Sequence, residues 1–407
     1  MLKQAWLAYL RSSLSRPGVF ALNLIGMALG LGMFLILVTA VRADLSWNRW
    51  IGDAEKIARV NLTMETAGGS GVPQALTPGV IAPLIQEDFA DVSEVTRIRR
   101  EQVTIIVDGK AAREELDLVD PNFFSVFPYP AVWGDPARAI QQPDGLVLDE
   151  ATALRVLGTI EATNRTLVIV VGTEKLTFRV LGVLKSYPAA TTVRPRMIAQ
   201  LRRGLFPSEV QESVFSRWGS STLQTWVKLK PSATFSSIAS GLGGFVPRRA
   251  TDIPPDLFTL SLTPLLEVHL SDGEAGIQTD TPSASPLLLT ALSWVAVLAL
   301  VISVVNYSNL QTARSATRAK EIALRRAIGA SRFQVGTQML AEAVLTAMLA
   351  SILGLAFAEL TLPLINSFLG TSLQLAYFGF SGAILSSMVT SVICGLLAGI
   401  YPAIVIS

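Results

Sequence analysis

The sequence predicts a membrane all-α four-helix bundle plus an extracytoplasmic α/β domain inserted between the first and second transmembrane helices. Three observations carry this expectation. Half of the 407 residues are hydrophobic and only 16% are charged, which is too little charged surface to coat a soluble globule of this size. Long charge-poor runs near the two ends of the chain flank a middle in which acidic and basic residues alternate. The basic clusters flanking the runs, Lys3, Arg11 and Arg16 before the first and Arg314 to Arg332 between the second and third, fall on one side of the expected membrane, as positive side chains retained in the cytoplasm would.

Taken in order, residues 1–16 form an amphipathic elbow helix. Leu2, Trp6, Tyr9, Leu10 and Leu14 share one face and Lys3, Gln4, Arg11 and Ser12 the other, which suits the inner interface. Residues 17–42 are the first span, since about 20 apolar residues cross the hydrocarbon core. Val38-Thr39-Ala40 has the small-residue look of a signal cleavage site, but the apolar run exceeds the roughly 7–15 residues of a signal peptide. Residues 43–285 are the outer domain, 286–310 the second span, 311–335 an inner loop and short helix, 336–366 the third span, 367–374 a short outer loop and 375–407 the fourth span. Arg314, Arg318, Lys320, Arg325, Arg326 and Arg332 mark the 311–335 segment as inside, and Trp47 and Trp50 are placed to anchor the outer end of the first span.

Within the outer domain, Val103–Val107 before Asp108-Gly109 reads as a strand entering a tight turn, and Leu167–Val171 with Leu176–Val183 as a hairpin. Pro78–Phe89 and Glu150–Leu157 read as helices, while Gly68-Gly69-Ser70-Gly71 and Ile253-Pro254-Pro255 mark loops.

Several chemistries are excluded. There is no phosphate-cradling Gly-x-x-x-x-Gly-Lys-Ser/Thr loop, so the chain is expected to bind no nucleotide in that way. One histidine, His269, and one cysteine, Cys394, supply neither a zinc site nor a nucleophile-base pair, and His269 reads as an ordinary surface or interface residue. A net charge of +2 without a separate basic arm gives no footprint for nucleic acid.

The segment Ala313–Gln338 is the most informative. Ile322, Leu324, Ala327 and Ile328 form an apolar side flanked by Arg325 and Arg326, and Gly329 breaks the helix before Ala330, Ser331 and Arg332. This is a short amphipathic helix at the inner surface, or else a plain basic loop. Gly26 and Gly30, overlapping Ala28 and Gly32, have the spacing of a close helix-packing seam, a spacing that also arises by chance. Glu342 and Glu359 interrupt the third span; each faces a partner or water, or else sits at the interface.

Asp44–Val60, VDPNFFSVFPYPAVWGDPARAI, GLVLDEATALRVLG, RVLGVLKSYPA, the stretch from Asn306 to Leu345 and the closing GLLAGIYPAIVIS together resemble the FtsX-like permease family of ATP-binding-cassette (ABC) transporters with a MacB-type periplasmic core domain. The likeness is to the first half of the long two-unit permeases. It implies a multi-pass inner-membrane permease without a bound cofactor of its own, with ATP and Mg held by a separate cytoplasmic ABC ATPase. Glu321, Ile322, Leu324, Arg325, Arg326, Ala327, Ile328, Gly329, Ala330 and Ser331 would be the element that docks on that ATPase. The outer domain would then move as ATP is used, exporting or releasing an antibiotic, peptide or lipoprotein. The chain stops at Ser407 without a basic flank, which suggests a truncated or split half. A second permease copy or second half and a periplasmic adaptor or substrate complete the implied partners. The alternative is a membrane-anchored sensor with a periplasmic ligand-binding domain.

Overall fold

A computed structural model describes residues 17–66, 69–107, 109–163, 165–171, 174–250, 252–254, 256–275, 283–317, 324, 327–329, 331–379 and 382–406. The expected elbow helix at 1–16 lies outside them. In chain order the principal elements are α1 (Pro17–Leu45), β1 (Ile57–Thr66), β2 (Gly69–Gln74), β3 (Thr77–Pro78), α2 (Ile81–Asp88), β4 (Val92–Val107), β5 (Lys110–Val119), β6 (Ala131–Gly134), β7 (Gly145–Asp149), α3 (Glu150–Leu157), β8 (Thr166–Val171), β9 (Glu174–Leu184), β10 (Met197–Gln200), α4 (Ser208–Phe215), β11 (Ser221–Leu229), α5 (Phe235–Leu242), β12 (Phe258–Pro264), α6 (Pro286–Thr317), α7 (Arg332–Leu369) and α8 (Ala383–Ile406). The chain divides into two compact units, Met1–Leu45 with Leu287–Ser407, and Ser46–Pro286.

Four helices of the first unit carry stretches long and apolar enough to cross a membrane: Phe20–Leu45, Pro286–Ala313, Arg332–Leu369 and Ala383–Ile404. They overrun the expected span limits. α1 continues to Leu45 rather than 42, α6 to Thr317 rather than 310, and α7 covers 332–369 rather than 336–366, because helical hydrogen bonding carries on into the polar flanks. The fourth helix, by contrast, starts at Ala383 and not at 375. Gly370 caps α7 with φ +64, and residues 371–379 are irregular despite their apolar character. Gly379 at φ +99 lets the chain fold back so that Ala383 N donates to Ala376 O at 2.7 Å, and Leu375–Gly379 are not helical.

Small residues bring α1, α7 and α8 together. A methyl group on Gly354 would fall 2.9 Å from Ala28 O and 3.0 Å from Gly32 N, and one on Gly395 would fall 2.7 Å from Val344 Cα. Ala343, Ala347, Ala350 and Ala358 lie fully buried along the same length of α7. In lipid, where apolar side chains gain little by meeting each other, such close backbone approach is what favours helix association.

The second unit is built on a mixed sheet whose main path runs β12-β1-β11-β4-β5-β10-β7-β9-β6, with β5/β10 and β7/β9 parallel. Buried and less buried residues alternate along β8, while Gly145–Leu148 of β7 and Met197–Ala199 of β10 are buried throughout. α3 shows how locally the fold is written. The Asp149 carboxylate accepts from Thr152 N at 2.9 Å to start it, and Gly158 at φ +71 ends it. The β8–β9 hairpin and the Val103–Val107 strand, part of the longer β4, are present. Gly69, Ser70 and Gly71 are not loop but the start of β2, which pairs with β1. Backbone hydrogen bonding to a neighbouring strand overrides the glycine content there.

Two further expectations are corrected. Trp47 is buried against the His269 ring, 3.8 Å away and within 6° of parallel. Trp50 donates from Nε1 to Thr191 Oγ1 at 2.7 Å and stacks on Tyr187. Both indoles therefore pack inside the outer domain instead of forming an interfacial belt. His269, only 4% exposed, is a buried stacking partner and not a surface residue.

Candidate functional site

The predicted docking segment connects α6 to α7. Leu324 and Ala327 are helical, and Ile328 N donates to Leu324 O at 3.1 Å to close the last turn. Gly329 then takes φ +103, a backbone region that side chains resist, so the chain turns sharply. Ser331 opens α7 with a reciprocal cap: its hydroxyl accepts from Gln334 N at 3.2 Å while its own N–H donates to Gln334 Oε1 at 3.0 Å. The turn leaves Leu324, Ile328 and Phe333 at 62%, 79% and 79% exposure. Glu321, Ile322, Arg325, Arg326 and Ala330 lie outside the described residues.

The two intramembrane carboxylates are separate. Glu342 is buried and its Oε1 accepts from Gln338 Nε2 at 3.3 Å, one turn away on α7. Glu359 is exposed and accepts from Tyr377 OH at 2.5 Å, just above Pro363, whose missing N–H leaves the Glu359 carbonyl without its helical donor. Seventeen residues of helix place them roughly 25 Å apart along the axis. Gly26 and Gly30 meet α6. A methyl group on Gly26 would lie 3.1 Å from Asn306 Nδ2, and one on Gly30 only 1.6 Å from Ser303 Oγ. Among the described residues, the carboxylates, the glycine pair and the Leu324–Ile328 turn thus occupy distinct places and build no common centre. Among the described residues no three His, Cys, Asp or Glu side chains group as a metal site.

Sequence reasoning missed the Gly32–Gly354 contact on α7, whose signal is the small residue at nearly every turn from Ala343 to Ala358. It also missed the charge network of the outer domain. Arg97 pairs with Asp120 at 2.8 Å and Arg100 with Asp117 at 2.8 Å. Hydrogen bonding from Arg249 holds the Asp88 carboxyl below the usual carboxylate range, and Arg179 does the same for Asp144. Burial pushes the phenols of Tyr129 and Tyr187 up, so both stay neutral hydrogen-bond donors.

Residues 20–243 match the family described as the MacB-like periplasmic core domain, and residues 293–407 match the FtsX-like permease C-terminal family. The chain belongs to the MacB-like, FtsX-type permeases of ABC transporters. It is 25% identical over 325 residues to the macrolide export ATP-binding/permease protein MacB of Shewanella oneidensis, covering 77% of this chain and 45% of that protein. Over a shorter stretch of 129 residues it is 33% identical to the protein of that name from Bdellovibrio bacteriovorus, covering 32% of this chain and 19% of that one. The chain therefore spans less than half the length of these relatives. A permease domain of Porphyromonas gingivalis is similar in structure with a TM-score of 0.45 at 19% identity, covering 60% of this chain and 98% of that domain. The periplasmic region of MacB from Actinobacillus actinomycetemcomitans gives 0.36 at 12% identity, covering 53% and 91%. The family and the four apolar helices mark a membrane protein with a domain outside the bilayer.

Proposed function

We propose that the chain is the permease component of an inner-membrane ABC transporter and that it transmits force. A separate cytoplasmic ATPase, holding ATP and Mg, docks on the segment from Glu321 to Ser331. Its closure and opening move the helices, arranged as a four-helix bundle, and through them the outer domain. A second permease copy or half completes the assembly. The cargo is an antibiotic, peptide or lipoprotein exported or released on the outer side, in keeping with the macrolide export of the relatives' name.

The observation that carries this reading is the pair Leu324 and Ile328, exposed on a helical turn that Gly329 ends. Burying both in a partner groove removes apolar area from water, worth about 1.5–3 kcal/mol for each side chain fully covered. A charge at either position would have to be desolvated instead. The test co-expresses the chain with its ATPase and compares Ile328→Asp with Ile328→Leu. Ile328→Asp is expected to lose ATPase copurification and stimulation at least tenfold while Ile328→Leu keeps both. Unchanged copurification with Ile328→Asp would overturn the docking assignment.

A further inference from the structure

The exposed side of α7 is apolar over its outer half, with one exception. Leu353, Ala356, Glu359, Leu360, Pro363 and Leu364 recur every three to four residues and are all exposed, so they form one stripe along the helix. Between Thr346 and Leu369 the sequence holds no charged residue other than Glu359. The stripe runs on past it to Phe368, and Leu360 and Phe368 are 80% and 81% exposed. A carboxylate among apolar groups that face lipid is costly unless a partner meets it.

The chain that follows α7 fixes the height of this carboxylate in a bilayer. Residues 371–379 are irregular and largely exposed, yet Tyr377 of this segment donates its hydroxyl to Glu359 Oε2 at 2.5 Å. The segment therefore lies back along the outer turns of α7. Exposed backbone without helical hydrogen bonds does not sit in hydrocarbon, so the lipid core ends near Glu359. Leu35 and Ile36 of α1 cluster with Ala358 and Leu362, so this boundary is the one towards the Leu45 end of α1. Glu359 thus stands where phospholipid head groups begin.

Its acceptors are only partly used. Oε1 takes no hydrogen bond among the described residues, and no Arg, Lys or His among them pairs with the carboxylate. Pro363, four residues on, has no N–H to give the Glu359 carbonyl. The Tyr377 hydroxyl satisfies one oxygen but brings no positive charge.

We propose that Glu359 and Tyr377 bind the primary ammonium head group of a phospholipid, phosphatidylethanolamine, in the leaflet at the Leu45 end of α1. An ammonium carries three N–H donors, enough for Glu359 Oε1 and a lone pair of the Tyr377 oxygen with one left for water. Its charge supplies the counter-ion, and charge-assisted hydrogen bonds of this kind are the strong ones. Ile352 and Leu353, exposed one to two turns inward, lie where the acyl chains of the same lipid begin. A trimethylammonium head group brings the charge without a donor, so the site discriminates between the two. This assignment needs the helices to span a bilayer and is independent of whether an ATPase docks on the inner segment.

The test titrates the full chain in detergent with phosphatidylethanolamine and with phosphatidylcholine of the same acyl chains, and reads the first bound lipid by native mass spectrometry. The parent is expected to bind the ethanolamine lipid about threefold more tightly or better, as one ion pair at a partly wet site allows. Glu359→Gln removes the charge but keeps an oxygen for Tyr377, and should abolish the difference while melting at or above the parent temperature. Tyr377→Phe should reduce it. Equal binding of the two lipids by the parent, or a preference undiminished in Glu359→Gln, would overturn the proposal. So would a parent dimer that Glu359→Gln dissociates, which would assign the carboxylate to a second copy of the chain.

Discussion

Gly30 is a position where the membrane-type unit has little room for a single methyl group. Added there, a Cβ would fall 1.6 Å from Ser303 Oγ, 2.7 Å from Ser303 Cβ and 3.2 Å from Ala299 O. Rotation of Ser303 removes the first overlap at the expense of its 2.8 Å bond to Ala299 O, but it cannot remove the second, because Cβ is fixed to the backbone. Gly30→Ala should therefore force α1 and α6 apart, an overpacking cost of about 1–3 kcal/mol, against a helix-propensity gain of about 1 kcal/mol for alanine. Ser303→Gly deletes both overlapping atoms, so the double variant should recover most of the loss. The expected coupling energy is about 1–2 kcal/mol, within the range seen for touching residues. Reversible unfolding of all four proteins of the cycle in mixed micelles measures it. Gly18→Ala, where nothing lies within 4 Å, serves as the control and should be neutral or slightly stabilising. A coupling energy of zero would show that α1 and α6 do not meet at Gly30 and Ser303.

Two other outcomes follow from the same structure. Cys394 is 4% exposed and gives a quiet background for labelling, so a cysteine at Lys185 should react with an impermeant maleimide from outside intact cells and one at Arg332 only after permeabilisation; the reverse pattern would invert the topology. Asp88 and Asp144 have folded pKa values below their unfolded value of about 3.9, so the stability that Arg249 and Arg179 lend is fully present above that value and is lost as pH falls through the lower folded values. The melting difference between the parent and Arg249→Met should accordingly be constant from pH 7 to about 5 and shrink on further acidification; a gap that widens in acid would contradict the Asp88 assignment.

The parts of the fold that were legible in the sequence are those where one physical demand dominates. A run of hydrocarbon length announces a span, and Asp149 before Glu150–Leu157 with Gly158 after it bounds a helix from both ends. Reading failed where two demands share a residue type. Trp47 and Trp50 stand next to an apolar run, as interfacial anchors do, yet their rings are claimed by His269, Tyr129 and Tyr187, residues up to 222 positions away in the chain. Leu375–Gly382 is apolar enough for a helix, but its two glycines and the Ala383–Ala376 bond favour a turn. The charge network of the outer domain was invisible because alternation predicts that a strand has two faces without saying which strands will lie side by side. β1, β11, β4 and β5 are neighbours in the sheet while β1 and β11 are separated by more than 150 residues of sequence.

The Trp47–His269 stack joins the two points at which the chain enters and leaves the outer domain. Asn48 Nδ2 reinforces it by donating to Leu265 O at 2.8 Å, and Ala284 N reaches back to His269 O at 3.1 Å. Spreading the two connecting strands would have to break this aromatic contact, worth about 0.5–1.5 kcal/mol beyond the area it buries, together with the bonds around it. A pull on either connection would therefore load the other through this one fastening.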